Sequence, residues 1–378
     1  MAIYWSIFAV SLVTFFLDSG SPRTIKLGED KTDRRSQFIW PFLIIAFIAF
    51  VSGARSNIAD TYAYQVSYQN APSEFSEIFG YISNLQADRL YSFAMLLVKC
   101  MFPNSTYTLW FMIVAIVSMI CFFKAVYEYA QNASFVTFLF VASTNFVWML
   151  NGVRQFLAVC ILLAGTKFLV EKKWFKYFLV VFIAYNIHDS SLLMIPFYFV
   201  VQSKPWSKRV WLFIAAALIA VAFSEPFMNT MNVVLEDTSL SESMSFALED
   251  EGGSNIIRFF VAAVPVGLAF IKRKEIEEKT TPFIDICINM SLVTALAYLM
   301  ASVTSGIIIG RVPIFFEIYS FILLDWLLRN AFKDEQKFLM QTLCILFYTA
   351  YFYFQMVVIY QGLGYYSTWL GIDLPMYQ

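Results

Sequence analysis

The stretch Thr106-Tyr-Thr-Leu-Trp110-Phe-Met-Ile-Val-Ala115-Ile-Val-Ser-Met-Ile120-Cys-Phe-Phe123 decides what kind of protein this is. It runs 18 residues without a charge, close to the roughly 20 apolar residues that a helix needs to cross the hydrocarbon core of a bilayer. The pattern recurs. Twelve segments read as spans, near 3–17, 38–54, 106–123, 134–150, 153–170, 174–188, 190–201, 210–224, 256–271, 283–301, 311–328 and 338–361. The 378 residues are 60% hydrophobic and only 14% charged, whereas soluble domains carry about 25% charge. The expected fold class is an all-α integral membrane protein: a polytopic helical bundle of about 12 spans with an outward-facing cavity, forming one transmembrane domain over 1–378.

A further apolar stretch, 90–102, is short and carries Lys99. It reads as an interfacial or re-entrant helix. With it excluded, 20 of the 26 Lys and Arg fall on one side of the membrane, which the positive-inside rule makes cytoplasmic, and both termini fall outside. Counting it as a span would instead place Lys172, Lys173 and Lys272 to Lys274 outside. The nine tryptophans lie near span ends or in flanking segments, as an aromatic belt requires. The first apolar run lacks a basic leader, so a cleaved signal peptide is not expected. Cysteines introduced at Asn57, near Asn151 and in 240–250 should label from outside, and ones at Lys31, Lys173 and Lys274 should not. Labelling of position 173 from outside would sink this topology.

The net charge of −1 gives no reason to expect nucleic acid. The five cysteines are scattered through apolar runs and His188 is the one histidine, so neither a disulfide framework nor a metal centre is expected, and no cofactor. Two outer segments stand out: 55–105 as a substrate-site loop, and 225–255, acidic and without basic residues, as a solvated loop or as a lid hinged at Gly252 and Gly253.

Six basic residues fall outside: Arg55, Arg89, Lys99, Arg154, Arg258 and Arg311. Five are arginine, whose planar fork suits phosphate and tolerates partial burial. Each could instead pair with a local acid or snorkel to headgroups. Their settings argue for more. Arg55 lies in Gly53-Ala-Arg55, followed by Asp60, Tyr62 and Tyr64. Asn151, Arg154, Gln155 and Ala158 have the spacing of one helix face. His188 stands in Ile187-His188-Asp189-Ser190-Ser191, and Arg311 follows Gly310. Four elements thus carry polar groups to one membrane face, which by default is a functional-site hypothesis.

These motifs resemble the EpsG family of bacterial membrane proteins, Wzy-like exopolysaccharide and O-antigen polymerases. The resemblance rests on Gly53, Arg55, Asp60 and Tyr64, then Asn151, Arg154, Gln155 and Ala158, then His188, Ser190 and Pro196. In the second half only Gly310-Arg311 and Tyr319 are similar. Where family members often read acid-Pro-Gly-Tyr after the first outer loop, this chain has Ala87-Asp88-Arg89-Leu90-Tyr91.

The resemblance implies an undecaprenyl-diphosphate-linked oligosaccharide as substrate, a chain-length regulator as partner, and the bacterial cytoplasmic (inner) membrane as location. The enzyme would be a metal-independent glycosyltransferase, since arginines alone can hold the charge developing on a diphosphate leaving group. Arg154 and Arg311 are the candidates for the diphosphate, Arg55 assists, and Asn151 and Gln155 orient Arg154 or donate to phosphate, with Tyr64 and Tyr319 also lining the substrate. For the base the candidate is His188, because imidazole titrates near neutrality, with Asp60 as runner-up and Asp189 orienting the ring. Three alternatives stay open: an O-antigen ligase of similar build, a lipid-linked oligosaccharide flippase or transporter, and a membrane O-acyltransferase.

Overall fold

A computed structural model describes residues 1–26, 32–235, 252–306 and 308–375. The chain divides into two compact units. The first comprises Met1–Thr166, Phe182–Ser191 and Phe338–Gln378; the second comprises Lys167–Val181 and Leu192–Lys337.

The first unit includes α1 Ala2–Gly20, α2 Ile39–Gly53, α3 Thr61–Asn70, α4 Ile78–Ser83, α5 Arg89–Met101, α6 Tyr107–Tyr129, α7 Ala133–Ala142 and α8 Val153–Ala164, together with most of the helix Asp334–Tyr353. At its centre, α7 is buried on every face, as a helix apolar all round must be. Asn132 caps it, its side chain accepting from the Phe135 N–H at 2.8 Å. Aromatic rings fill the surrounding core. Phe8 stacks on Phe352 at 4.6 Å, and Phe122 meets Phe140 at 4.6 Å.

α2 packs along α6, and Gly53 is where they approach most tightly. A Cβ there would lie 2.7 Å from the Met112 Cα, so the glycine that opens the Arg55 motif is needed for backbone contact. Gly53→Ala should therefore push the two helices apart, costing about 1–3 kcal/mol. A lowered apparent Tm of the detergent-solubilised protein checks this; an unchanged melt would mean that α2 shifts freely.

Two antiparallel hairpins were not foreseen. β1 (Arg23–Lys26) pairs with β2 (Thr32–Arg35), and β3 (Tyr365–Ser367) pairs with β4 (Ile372–Leu374). An isolated bridge joins Asn57 to Tyr366.

In the second unit, Pro282–Val303 packs against Ile257–Ile271, Glu317–Asn330 and Lys208–Ala222. Thr281 caps it, accepting from the Ile284 N–H at 3.3 Å, with Pro282 in the first turn. Asn289, buried within it, donates to the carbonyls of Val201 at 3.0 Å and Ser203 at 2.6 Å.

The membrane reading holds in coarse form. Four described helices are long and apolar enough to cross a bilayer: Ala2–Gly20, Tyr107–Tyr129, Pro282–Val303 and Asp334–Ile359. Lys208–Ala222 and Ser224–Met231, bent by 97°, together pass the same test. Three other expected spans are interrupted by 3-10 segments at Asn145–Met149, Asp189–Leu193 and Ile309–Phe315, and Ile39–Gly53, Val153–Ala164, Trp174–Tyr185 and Ile257–Ile271 form shorter apolar helices. The stretch 90–102 forms the 13-residue α5, too short to cross.

The loop expected over 225–255 needs correction at its start, since Ser224–Leu235 is helical. Ser224-Glu225-Pro226 is a helix-start signal, and Met228 is buried with Phe227, Met231, Ile308 and Ile309 around it. Residues 236–251, the rest of the expected lid, lie outside the described residues. The glycine pair is tied down: the Gly252 carbonyl accepts from the Gly306 N–H at 3.0 Å, and a Cβ on Gly253 would meet the Ser302 carbonyl oxygen at 2.3 Å.

Candidate functional site

The first unit assembles a polar cluster from three chain segments. α5 begins at Asp88, which adopts the left-handed conformation (φ 56°, ψ 32°), a region that Asp enters more readily than most residues. Its carboxylate makes no cap to its own helix. The Asn186 carbonyl does that work instead, accepting from the Leu90 N–H at 2.8 Å. This bond pins the turn 186–191 to the start of α5 and frees the Asp88 side chain to point elsewhere.

It points at two sequence-predicted residues. Asp88 Oδ2 accepts from Arg154 Nη1, while Asp88 Oδ1 lies 3.7 Å from His188 Nδ1. Asp189 Oδ1 is also 3.7 Å from that nitrogen, so the imidazole faces two carboxylates just beyond hydrogen-bond reach. Arg154 sits in the first turn of α8, 5.4 Å over the Tyr64 ring, and hydrogen-bonds the Tyr64 hydroxyl. Tyr91, one turn into α5, accepts from Trp110 Nε1 at 2.9 Å and is an electrostatic neighbour of Tyr64, Arg154 and Arg55. Burial pushes its phenol well up.

Several buried polar atoms here have no hydrogen-bond partner among the described residues: Asp88 Oδ1, Asn151 Oδ1, Arg154 Nε, His188 Nδ1, Ser190 Oγ and Ser191 Oγ. Such atoms are uncommon in folded proteins, and each needs a reason. Their concentration around one ion pair leaves the cluster with hydrogen-bonding capacity that a polar ligand could take up.

The other candidates fall as follows. Asn151 precedes α8 rather than lying on its face, because the helix begins at Val153 with Gly152 as its cap. The face read from sequence therefore holds for Arg154, Gln155 and Ala158 only; Gln155 is buried. Arg55 is 1% exposed. Its Nε donates to Thr61 Oγ1 at 3.1 Å, its Nη1 donates to the Ser52 carbonyl, and its guanidinium lies 4.5 Å over Phe111, which meets Tyr64 edge-on at 6.5 Å. Burial pulls its pKa down to about 10, partly offset by the surrounding tyrosines, so it stays charged at neutral pH. Asp60 is exposed at the start of α3 with no side-chain cap bond.

Two more of the six bases expected outside have local duties. Lys99 donates to the Tyr68 and Gln69 carbonyls at 2.7 and 3.0 Å, closing the C-terminal end of α3, and Arg89 Nε donates to the Leu85 carbonyl at 3.1 Å. Arg154 is held by the Asp88 carboxylate and keeps a buried Nε, and Arg55 a buried Nη2, without a hydrogen-bond partner among the described residues.

Arg311 and Tyr319 belong to the second unit. Arg311 lies in the 3-10 segment Ile309–Phe315, and Tyr319 is buried as an electrostatic neighbour of Tyr177. There too the Tyr298 hydroxyl donates to Glu317 at 2.8 Å, and Arg329 Nε donates to Asp325 at 3.0 Å, the i,i+4 pair that the sequence suggests.

Asp88 and Tyr91 are the residues that sequence reasoning passed over. The signal was Asp88-Arg89-Leu90-Tyr91, which keeps the acid and the tyrosine of the acid-Pro-Gly-Tyr pattern from which the stretch otherwise departs. The model of the EpsG family matches residues 38–369. No curated protein and no solved structure shows a significant match to the chain.

Proposed function

The chain belongs to the EpsG family, a Wzy-like polysaccharide polymerase family, and on that premise we propose that it joins undecaprenyl-diphosphate-linked oligosaccharide repeats into a surface polysaccharide at the outer face of the cytoplasmic membrane. The observation that carries this reading is the shared carboxylate of Asp88, with a cation on one oxygen and an imidazole facing the other. Glycosyl transfer from a lipid diphosphate needs both partners. A cation must hold the charge that develops on the leaving group, and a base must take the proton of the incoming hydroxyl.

In this mechanism an acceptor hydroxyl attacks the anomeric carbon of the growing glycan, and the bond from that carbon to the diphosphate oxygen breaks. The electron pair leaves with the diphosphate. Arg154 meets that charge through the Nε side of its fork, since Nη1 is engaged by Asp88. His188 presents Nδ1 to Asp88 and Asp189, which favours a proton on Nδ1 and leaves Nε2 to accept the one from the hydroxyl. The 3.7 Å separations are open, as catalytic contacts often are before substrate tightens them. Asn151, Ser190 and Ser191 supply uncharged hydrogen-bonding groups of the kind that suit sugar hydroxyls.

The test is purified protein supplied with a lipid-linked repeat. A ladder of products supports polymerisation. A single transfer to a different acceptor would make the protein a ligase, and no covalent product would favour transport. Arg311→Lys belongs in the same assay: a loss of product is expected from the role that the resemblance implies for that residue.

A further inference from the structure

We infer that the C-terminal hairpin β3–β4 is part of the catalytic apparatus: Tyr365 and Ser367 are positioning residues that set α3, and through it Tyr64, against Arg154. The catalytic half of this rests on the function proposed above; the positional half does not.

α3 cannot hold its own place. It is ten residues long, mostly polar, and buries only Thr61 and Tyr68, and a helix that short is marginal in isolation. Its position must come from attachments at its ends. At the C-terminal end Lys99 binds the last carbonyls, and the Tyr68 and Ser105 hydroxyls meet at 2.9 Å. At the N-terminal end the attachment is the loop 54–57. Arg55 Nε donates to Thr61, and Gln65 Nε2 donates to the Ser56 carbonyl. Tyr64 lies between these anchors and meets Arg154.

The loop in turn is held by residues more than 300 positions away. The Ser56 N–H donates to the Tyr366 carbonyl at 2.7 Å, and the Thr368 N–H donates to Ser56 Oγ at 2.8 Å. Ser367 Oγ donates to the Ala54 carbonyl at 2.5 Å, and at the end of α2, which leads into the loop, the Val51 carbonyl accepts from the Tyr365 hydroxyl at 2.8 Å. Tyr365 is 0% and Ser367 1% exposed. The hairpin is itself moored by the Tyr4 hydroxyl, which donates to the Gly364 carbonyl at 3.0 Å. A continuous run of hydrogen bonds therefore leads from the hairpin through the Arg55 loop and α3 to the Tyr64–Arg154 contact.

Tyr365→Phe and Ser367→Ala each remove one bond from this run and keep the side chain's bulk. Trp369→Ala is the control, being exposed and packed on Phe50 rather than bonded to the loop. In the full-length protein, amide hydrogen exchange over 54–70 should quicken about fivefold or more in the first two variants, as for loss of a buried hydrogen bond. Exchange in α6 and the control should be unchanged. The same two variants should lower kcat/KM for the lipid-linked repeat about five- to tenfold with the apparent Tm preserved. In a Tyr64→Ala background that further loss should vanish, since coupled residues are not additive.

Unchanged exchange over 54–70 would overturn the positional claim, whatever the protein's activity. Quickened exchange with full activity, or losses that simply multiply in the Tyr64→Ala background, would reduce the hairpin to a staple. If the parent protein forms no polymer, the functional proposal fails while the exchange result still decides whether the hairpin holds α3.

Discussion

His188→Gln is expected to lower turnover by about 10² to 10⁴ while folding and donor-lipid binding persist. Glutamine keeps similar bulk and can still hydrogen-bond, but it cannot take up a proton at useful pH. The neutral imidazole is the form that accepts the proton of the incoming hydroxyl. A histidine that merely fills space between Asp88 and Asp189 would behave differently: His188→Gln would be tolerated, and His188→Ala would lower yield or thermal stability. Turnover and donor binding must be measured on the same purified variants. If His188→Gln turns over within a few fold of the parent, the base is a carboxylate. Asp60, exposed at the start of α3, and Asp88 would then be the two to separate.

Much of this architecture is legible in the chain because bilayer crossing is a local property. Residues 106–123 announce α6, and 283–301 announce Pro282–Val303, with no knowledge of what packs on them. Breaks within an apolar run are not legible in the same way. Hydropathy dips at Ser143-Thr144-Asn145 and at His188 to Ser191, but a dip does not tell a loop from the 3-10 turns that form at Asn145–Met149 and Asp189–Leu193, since that difference is backbone geometry. The hairpin at 365–374 is hidden for another reason: its partners are Val51, Ala54 and Ser56, and long-range pairing leaves no periodicity near either segment. Side-chain chemistry singles out Arg154 and His188 as candidates because ionisable groups are costly in a membrane, and the fold brings both beside Asp88. It does not show that Arg55, which carries the same charge, is enclosed by Ser52, Thr61 and Phe111. It passes over Asp88, an ordinary helix-start residue until the fold brings α8 and 186–191 beside it.

Asp88→Asn tests that juxtaposition. Asparagine also tolerates the left-handed backbone and can still bond Arg154, so the fold should survive, but the negative charge that fixes the guanidinium and faces the imidazole is gone. Activity is expected to drop about ten- to a hundredfold, the range for a charge-assisted contact realised in the transition state. Arg154→Lys should lose a similar factor although its charge is kept. The guanidinium can give Nη1 to Asp88 and still offer Nε to a phosphate oxygen, whereas a lysine is a point charge that cannot serve both in fixed geometry. Because the Arg154 side chain is 40% exposed, the ion pair adds little to stability, and neither variant should shift the apparent Tm by much. Combining the two separates the roles. If Asp88 acts by holding Arg154, Asp88→Asn should add little in the Arg154→Lys background, and a residual deficit there would measure its separate action on His188. Near-normal polymer from both single variants would mean that the pair only ties α5 to α8 and that the leaving group is stabilised elsewhere.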